Sequence, residues 1–138
     1  MTKSQQFIAE ARKYIGVPYL YAVPAEKIGE FFDCSSFTQY LANRLGISLE
    51  RSTFLQAAKN GKEISLNNIQ PGDLIFYQGD KGHYDHKLLP GKYIGHVVIY
   101  TGNGQAIHAK GNAGVIEENL EIIEKFAKPP VLAKRIFE

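Results

Sequence analysis

The hydrophobic pattern of this 138-residue chain changes at Pro71-Gly72. Before this dipeptide, apolar residues recur every three or four positions, which is typical of helices that pack through one face. After it, apolar residues come in short runs rich in β-branched and aromatic side chains, which is typical of strands. Helices followed by strands favour an α+β domain, with the N-terminal helices packed on a central antiparallel β-sheet.

The element boundaries follow from apolar spacing and capping residues. Helices are predicted at residues 4–15, 33–46 and 52–60, and strands at 73–77, 94–100, 105–109 and 131–137. The polar, Gly-rich segment 78–92 is expected to be an extended surface loop. Since no linker or repeat divides the chain, residues 1–138 are interpreted as a single domain.

Charge and hydropathy restrict the partners. The chain has 16 Lys and Arg against 14 Asp and Glu, a net charge of +2, and no long basic run, which argues against nucleic acid. It has no apolar stretch near the ~20 residues of a membrane span. Charged residues interrupt the N-terminal segment, so no signal peptide is predicted. The expected location is therefore the cytoplasm, or outside the cell through a non-classical, phage or toxin route.

Cys34 is the single cysteine, and it follows Asp33, a predicted N-cap of the second helix. A thiol in the first helical turn lies where the helix dipole favours the thiolate, so a lowered pKa is expected. Cys34 shares a face with Phe37 and Leu41 and should face the sheet. A lone cysteine can equally be a small buried apolar residue, and this segment alone leaves both interpretations open.

His96 and His108 lie on two predicted strands joined by a Gly- and Asn-containing turn. A two-residue loop at 103–104 would pair residue 99 with His108 and send the histidines to opposite faces. A three-residue loop at 102–104 would pair residue 98 with His108, placing both on one face with Cα atoms about 7–8 Å apart. Because Gly104 suits the left-handed position of a three-residue loop, we favour the second register.

Together these residues match a cysteine hydrolase. A thiol nucleophile needs a base within hydrogen-bonding reach, and the base needs a third group to orient it. Cys34, His96 and His108 supply these roles if the two histidines lie on one face across from the thiol, with His108 as a neutral acceptor. His83 and His86 are expected to be exposed, at most near the rim of the site.

Six short motifs occur along the chain in a fixed order: Gly16-Val17-Pro18-Tyr19, Asp33-Cys34-Ser35, residues 51–56, Pro71-Gly72-Asp73-Leu74, residues 95–100 and Ile107-His108-Ala109. Each is weak by itself. In this order they resemble the NlpC/P60 family of papain-like cysteine peptidases, and the resemblance runs from about residue 11 to residue 109.

The resemblance implies a papain-like NlpC/P60 fold and a Cys-His-His triad without cofactor or metal. Cys34 would be the nucleophile, His96 the base and then the acid, and His108 the polar third member. Tyr19 would place its hydroxyl near the oxyanion, although a Tyr after Pro18 can also serve packing alone. The implied substrates are peptidoglycan stem peptides or muropeptides, cut between D-γ-glutamyl and diamino-acid residues.

The chain also departs from the family pattern. It has Tyr21-Ala22-Val23-Pro24 where a Gly pair is usual, Ser36 where a Gly is common, Phe31 and Phe32 before Asp33, and a long 78–92 segment. These changes add bulk or loop near the expected cleft. They predict a narrower substrate, or a different amide.

Two other functions remain open. A zinc hydrolase or zinc-binding module could use Cys34, His96, His108 and a loop histidine, although the chain lacks an H-E-x-x-H motif and a close pair of cysteines. A non-catalytic module could keep the scaffold to bind wall fragments or a protein. The sequence leaves the scissile bond, the oligomeric state and any cognate inhibitor undetermined.

Overall fold

The computed structural model describes residues 1–80 and 86–137, and within them it has four α-helices and six β-strands. The helices are α1 (Lys3–Arg12), α2 (Cys34–Arg44), α3 (Thr53–Lys59) and α4 (Leu120–Ala127). The strands are β1 (Lys62–Ile64), β2 (Leu74–Tyr77), β3 (His96–Gly102), β4 (Gln105–Lys110), β5 (Gly114–Asn119) and β6 (Pro130–Arg135). The strands form one antiparallel sheet in the order β1-β6-β2-β3-β4-β5, which confirms the α+β class.

The sheet is covered on both faces. On one face, α1, α2 and α3 bury their apolar side chains against alternate strand residues such as Phe76, Ile99 and Ile107. On the other face, Ile123 and Ala127 of α4 pack on the residues between, such as Ile75 and Val98. Because side chains alternate along a strand, near-continuous apolar strands are what a sheet covered on both faces requires.

Three elements were not predicted from the sequence. β1 is a short edge strand whose first two residues are exposed, and β5 becomes polar towards its C-terminal end, so neither has a strong strand pattern. α4 is an eight-residue amphipathic helix capped by Asn119. The first helix also ends at Arg12, earlier than predicted.

The β3–β4 hairpin has the favoured register but not the favoured loop. Gly102 pairs with Gln105, so the turn has two residues, and Asn103 and Gly104 both have positive φ, as a tight hairpin turn requires. The register then shifts at a bulge between Tyr100 and Gly102, after which Ile99 pairs with Ile107. The bulge restores the register that puts residue 98 opposite His108.

The segment 78–92 contains no helix or strand in its described residues, 78–80 and 86–92. The prediction for His83 lies outside the described residues. No helix in the described ranges is long and apolar enough to cross a membrane.

Candidate active site

The start of α2 is held by Asp33. Its Oδ1 accepts the Ser36 amide at 2.8 Å, and the Ser36 hydroxyl accepts the Asp33 amide at 2.9 Å, which forms a capping box. Arg51 donates to both carboxylate oxygens, with the shorter contact at 2.7 Å. Burial opposes ionisation of Asp33, but hydrogen bonds from Arg51 and Ser36 outweigh it and lower its pKa. This ion pair fixes the turn that carries Cys34.

Cys34 is the first residue of α2 and is 8% exposed. Its Sγ lies 3.2 Å from Oγ1 of Thr53, and backbone amides of Val97 and Ser35 also hydrogen-bond to the sulfur. Burial raises the pKa of the Cys34 thiol, and the hydrogen bonds, led by Thr53, only partly offset it. The predicted lowering of this pKa is therefore wrong, because desolvation outweighs the groups that favour the thiolate at this helix start.

The two histidines are in direct contact. Nε2 of His96 and Nδ1 of His108 are 2.8 Å apart, and the rings meet edge to face. Burial lowers the pKa of both imidazoles. The pKa of His108 is lowered even though its Nε2 lies 2.7 Å from a carboxylate oxygen of Glu118. Both rings are therefore neutral near pH 7, the state in which one can accept a proton.

The histidines share a face, as predicted, but it is not the face that packs α2. Phe126 of α4 stacks on His108 and meets His96 edge-on, so both rings lie on the α4 face. Cys34 belongs to the core on the opposite face. His96 is the first residue of β3, and the amide of the next residue, Val97, points at the Cys34 sulfur. The thiol and the imidazole therefore come from opposite faces of the sheet and lie at the same end of it.

The segment carrying Tyr19 is tied to the residues before the thiol. Tyr19 forms a parallel bridge with Phe32, in which the Phe32 amide donates to Pro18 and the Phe32 carbonyl accepts from Leu20, both at 3.1 Å. Val17 hydrogen-bonds to β5 beside Gly114, where a Cβ would overlap the Val17 carbonyl oxygen. Burial and the neighbouring Cys34 raise the pKa of Tyr19, so its hydroxyl keeps its proton.

A cleft of about 910 Å³ joins these parts. Tyr19, Cys34, Thr53 and His96 line it, whereas His108 lies behind His96 and is 1% exposed. The arrangement brings together a thiol, a neutral imidazole with an orienting partner, and a hydroxyl donor. These are the groups that an acyl-transfer reaction through a thioester needs.

Comparison with known proteins identifies the family. Residues 16–131 match the model of the NlpC/P60 family. The chain belongs to the NlpC/P60 family. It is 39% identical over 112 residues to the probable endopeptidase p60 of Listeria grayi, covering 81% of this chain and 19% of that protein. It is 31% identical over 120 residues to the gamma-D-glutamyl-L-lysine dipeptidyl-peptidase of Bacillus cereus, covering 87% of this chain and 31% of that enzyme.

Among solved structures, the NlpC/p60 domain of the peptidoglycan hydrolase SagA superposes with a TM-score of 0.74 at 31% identity. The match covers 96% of this chain and 98% of that domain. Against the two sequence relatives, by contrast, the chain spans only 19% and 31% of their length. It therefore corresponds to the NlpC/P60 part of these longer proteins.

Only some of the residues that differ from the NlpC/P60 pattern line the cleft. Tyr21, Ala22 and Val23 line it. Phe32 is instead fully buried in the core, and Ser36 is buried beneath Asp33 as part of the helix cap. The expectation that these two residues add bulk to the cleft is wrong.

Sequence reasoning missed several residues around the site. Thr53 was only part of a family-like segment, and its contact with Cys34 has no local sequence signal. Glu118 contacts His108, and Lys110 donates to the same carboxylate at 3.3 Å while lying 4.5 Å from the centre of the Phe126 ring. These residues come from β5, β4 and α4, of which only β4 was predicted.

His86 is partly buried, and its ring centre lies 4.7 Å from that of Phe54, a residue of the cleft wall. Its Nδ1 accepts the amide of Leu88. Within residues 1–80 and 86–137, no group of three or more His, Cys, Asp and Glu side chains is arranged to hold a metal ion.

Proposed function

We propose that this domain is a cysteine peptidase that hydrolyses an amide bond in peptidoglycan peptides, between a D-γ-glutamyl residue and a diamino acid. The observation that carries the proposal is the convergence of Cys34 and His96 on one cleft, with His96 held at 2.8 Å by His108. The name of the Bacillus cereus relative supports a γ-glutamyl bond, and the SagA domain belongs to a peptidoglycan hydrolase.

In the first half-reaction, Cys34 attacks the amide carbonyl. Burial favours the neutral thiol and the neutral imidazole, so the proton passes from Sγ to His96 as the carbon–sulfur bond forms. The backbone amide of Cys34 and the Tyr19 hydroxyl donate to the oxyanion. One such donor is typically worth about 2.7–4 kcal/mol of the barrier.

The imidazolium of His96 then gives its proton to the leaving amine, and the tetrahedral intermediate collapses to a thioester on Cys34, which completes the first half-reaction. In the second half-reaction, the same imidazole takes a proton from water as that water attacks the thioester. The carbon–sulfur bond then breaks, the acid is released, and His96 returns the proton to the Cys34 sulfur. His108 stays hydrogen-bonded to His96 throughout, so the base keeps its orientation. Cys34, His96 and Tyr19, which act on the substrate in these steps, all line the cleft.

Mass spectrometry of products from a panel of defined muropeptides tests the proposal. The unmodified protein should release products cut at the γ-glutamyl bond, whereas Cys34→Ala should release none while keeping the wild-type melting temperature. Cleavage by Cys34→Ala would overturn the mechanism. Cleavage only at other bonds would overturn the substrate assignment.

Two inhibitors separate the proposal from its alternatives. Iodoacetamide should abolish turnover by alkylating Cys34, and EDTA should leave turnover intact. Loss of activity in EDTA that added zinc restores would favour the zinc hydrolase. Muropeptide binding with no turnover of any panel member would favour the non-catalytic module.

A further inference from the structure

The contact between Glu118 and His108 follows from strand register. His108 pairs with Ile116 on β5, so Glu118, two residues further along, lies diagonally across on the same face. Its Oε2 lies 2.7 Å from Nε2 of His108, the ring nitrogen that faces away from His96. The His108 side chain is fully buried and that of Glu118 is 10% exposed, so little water competes for this contact.

This contact determines which nitrogen of each ring carries hydrogen. A carboxylate only accepts hydrogen bonds, so Nε2 of His108 must donate. In a neutral imidazole the other nitrogen then accepts, so Nδ1 of His108 accepts from Nε2 of His96. His96 has used its one hydrogen there. The lone pair of its Nδ1 is left to receive a proton from elsewhere.

We infer that Glu118 is a positioning residue, which acts through His108 to hold both imidazoles in the tautomer that leaves Nδ1 of His96 ready for the Cys34 proton. In the opposite arrangement, Nδ1–H of His108 donates to His96, whose hydrogen moves to Nδ1 and blocks the base. Without a carboxylate at its Nε2, a neutral His108 can adopt either tautomer. The inference rests on the proposed function for its catalytic meaning.

Two neighbours hold the Glu118–His108 pair in place. Lys110 donates to the same Oε2 at 3.3 Å, and Phe126 covers the ring of His108 with nearly parallel planes, 16° apart. Glu118 is thus fixed on one side by a cation and its partner ring is fixed by an aromatic side chain. This closed cluster has a simpler interpretation, in which Glu118 only stabilises the sheet, and the test must separate the two.

Nitrogen-15 NMR of histidine-labelled protein tests the inference without a substrate. Near pH 7, where both buried rings are neutral, His96 and His108 should each show a protonated Nε2 and an unprotonated Nδ1. Glu118→Ala should convert the two rings to a mixture of tautomers. Glu118→Gln, whose amide oxygen can still accept, should restore the wild-type pattern in part.

Glu117→Ala is the matched control. Glu117 is the neighbouring acid on β5 but faces α1, where it pairs with Arg12 at 2.9 Å. Its loss should leave both histidine tautomers unchanged. A protonated Nδ1 on His108 in the unmodified protein, or unchanged tautomers in folded Glu118→Ala, overturns the inference.

Kinetics provide a second readout. Glu118→Ala should lower kcat at least tenfold with KM nearly unchanged, since a base held in the wrong tautomer loses up to about 10⁴-fold. His108→Asn puts Oδ1 where Nδ1 was and has no ring tautomer, so adding Glu118→Ala to it should change kcat less than twofold. A further tenfold loss there would mean that Glu118 acts by another route. If no muropeptide is cleaved, the proposed function fails while the NMR result still decides the tautomers.

Discussion

The hydroxyl of Thr53 lies 3.2 Å from the sulfur of Cys34, so the first residue of α3 contacts the first residue of α2. The contact exists because Ser52 caps α3 just where Arg51 ties the preceding turn to Asp33. Among the hydrogen bonds that lower the pKa of the thiol, this one contributes most. It partly offsets the effect of burial on the pKa of this thiol.

Thr53→Val should therefore make the thiol less reactive. Removing the hydroxyl raises the pKa of Cys34, so less thiolate is present at a given pH and alkylation by iodoacetamide should slow by about threefold to tenfold at pH 8. Thr53→Ser keeps the hydroxyl and should label at close to the wild-type rate. Equal rates for all three proteins would show that the contact does not influence the thiol.

Tyr19→Phe should reduce kcat by about 10²-fold to 10³-fold and leave KM nearly unchanged, because a donor to the oxyanion acts in the transition state. Steady-state kinetics on the muropeptide that is cleaved best would measure this. Tyr14→Phe is the control, since it removes a hydroxyl that bonds to Tyr40 at 3.2 Å, outside the cleft. A rise in KM with kcat unchanged would assign Tyr19 to substrate binding instead.

The acid limb of kcat/KM should lie well below pH 6.5. His96 must be neutral to accept the thiol proton, and burial lowers its pKa, so activity should persist as the pH falls until the imidazole itself is protonated. A pH–rate profile from pH 4 to 8 would show this. An acid limb at or above pH 6.5 would contradict the neutral resting pair.

Two charges near His96 should move that limb in opposite directions. The Lys110 ammonium lowers the pKa of His96, so Lys110→Met should move the limb to higher pH. The Asp80 carboxylate raises it, so Asp80→Asn should move the limb to lower pH. Of the other groups that act on His96, His108 lowers its pKa and Glu118 raises it. Shifts of the same sign in both variants would rule out this electrostatic account.

Asp33→Ala should lower the free energy of unfolding by about 2 kcal/mol, because it removes a helix cap and leaves the partly exposed Arg51 without its carboxylate. Asp33→Asn keeps a capping oxygen and should lose roughly half as much. Because the folded-state pKa of Asp33 is lowered, its contribution is present above the unfolded pKa and is lost as the pH falls. Urea unfolding at pH 7 and at pH 2.5, which is below the usual aspartate pKa of about 3.9, would measure both effects. Equal losses for Asp33→Ala and Asp33→Asn would contradict the capping role.

The sequence predicted the parts of the fold whose signals are local. The Asp33 cap, the buried face of α2, the Ser52 cap and four of the strands were read from spacing and turn residues, and all are present in the structure. The register of the β3–β4 hairpin was right although its turn was not. A bulge near Thr101 compensates for the shorter loop, and no propensity marks a bulge in advance.

The pairing of Glu118 with His108 had no such signal, because it depends on the register of β5, a strand too polar to be recognised. The contact of Thr53 with Cys34 depends on how two helices pack, which apolar spacing does not specify. The prediction that the pKa of Cys34 is lowered was wrong for a related reason. A helix start is visible in the sequence, whereas the desolvation that outweighs it arises only when the core closes.

The amino-acid sequence by itself determined the first three helices and four of the six strands in the described residues, and it pointed to the residues proposed to carry the chemistry, since caps, periodicity and turn residues act over a few positions. Tertiary structure alone decided that the two imidazoles lie on the α4 face, that Cys34 and His96 line the same cleft, and that a carboxylate from β5 contacts His108. These relations depend on strand register and on the way layers cover a sheet. Both are settled by packing among residues distant in the chain.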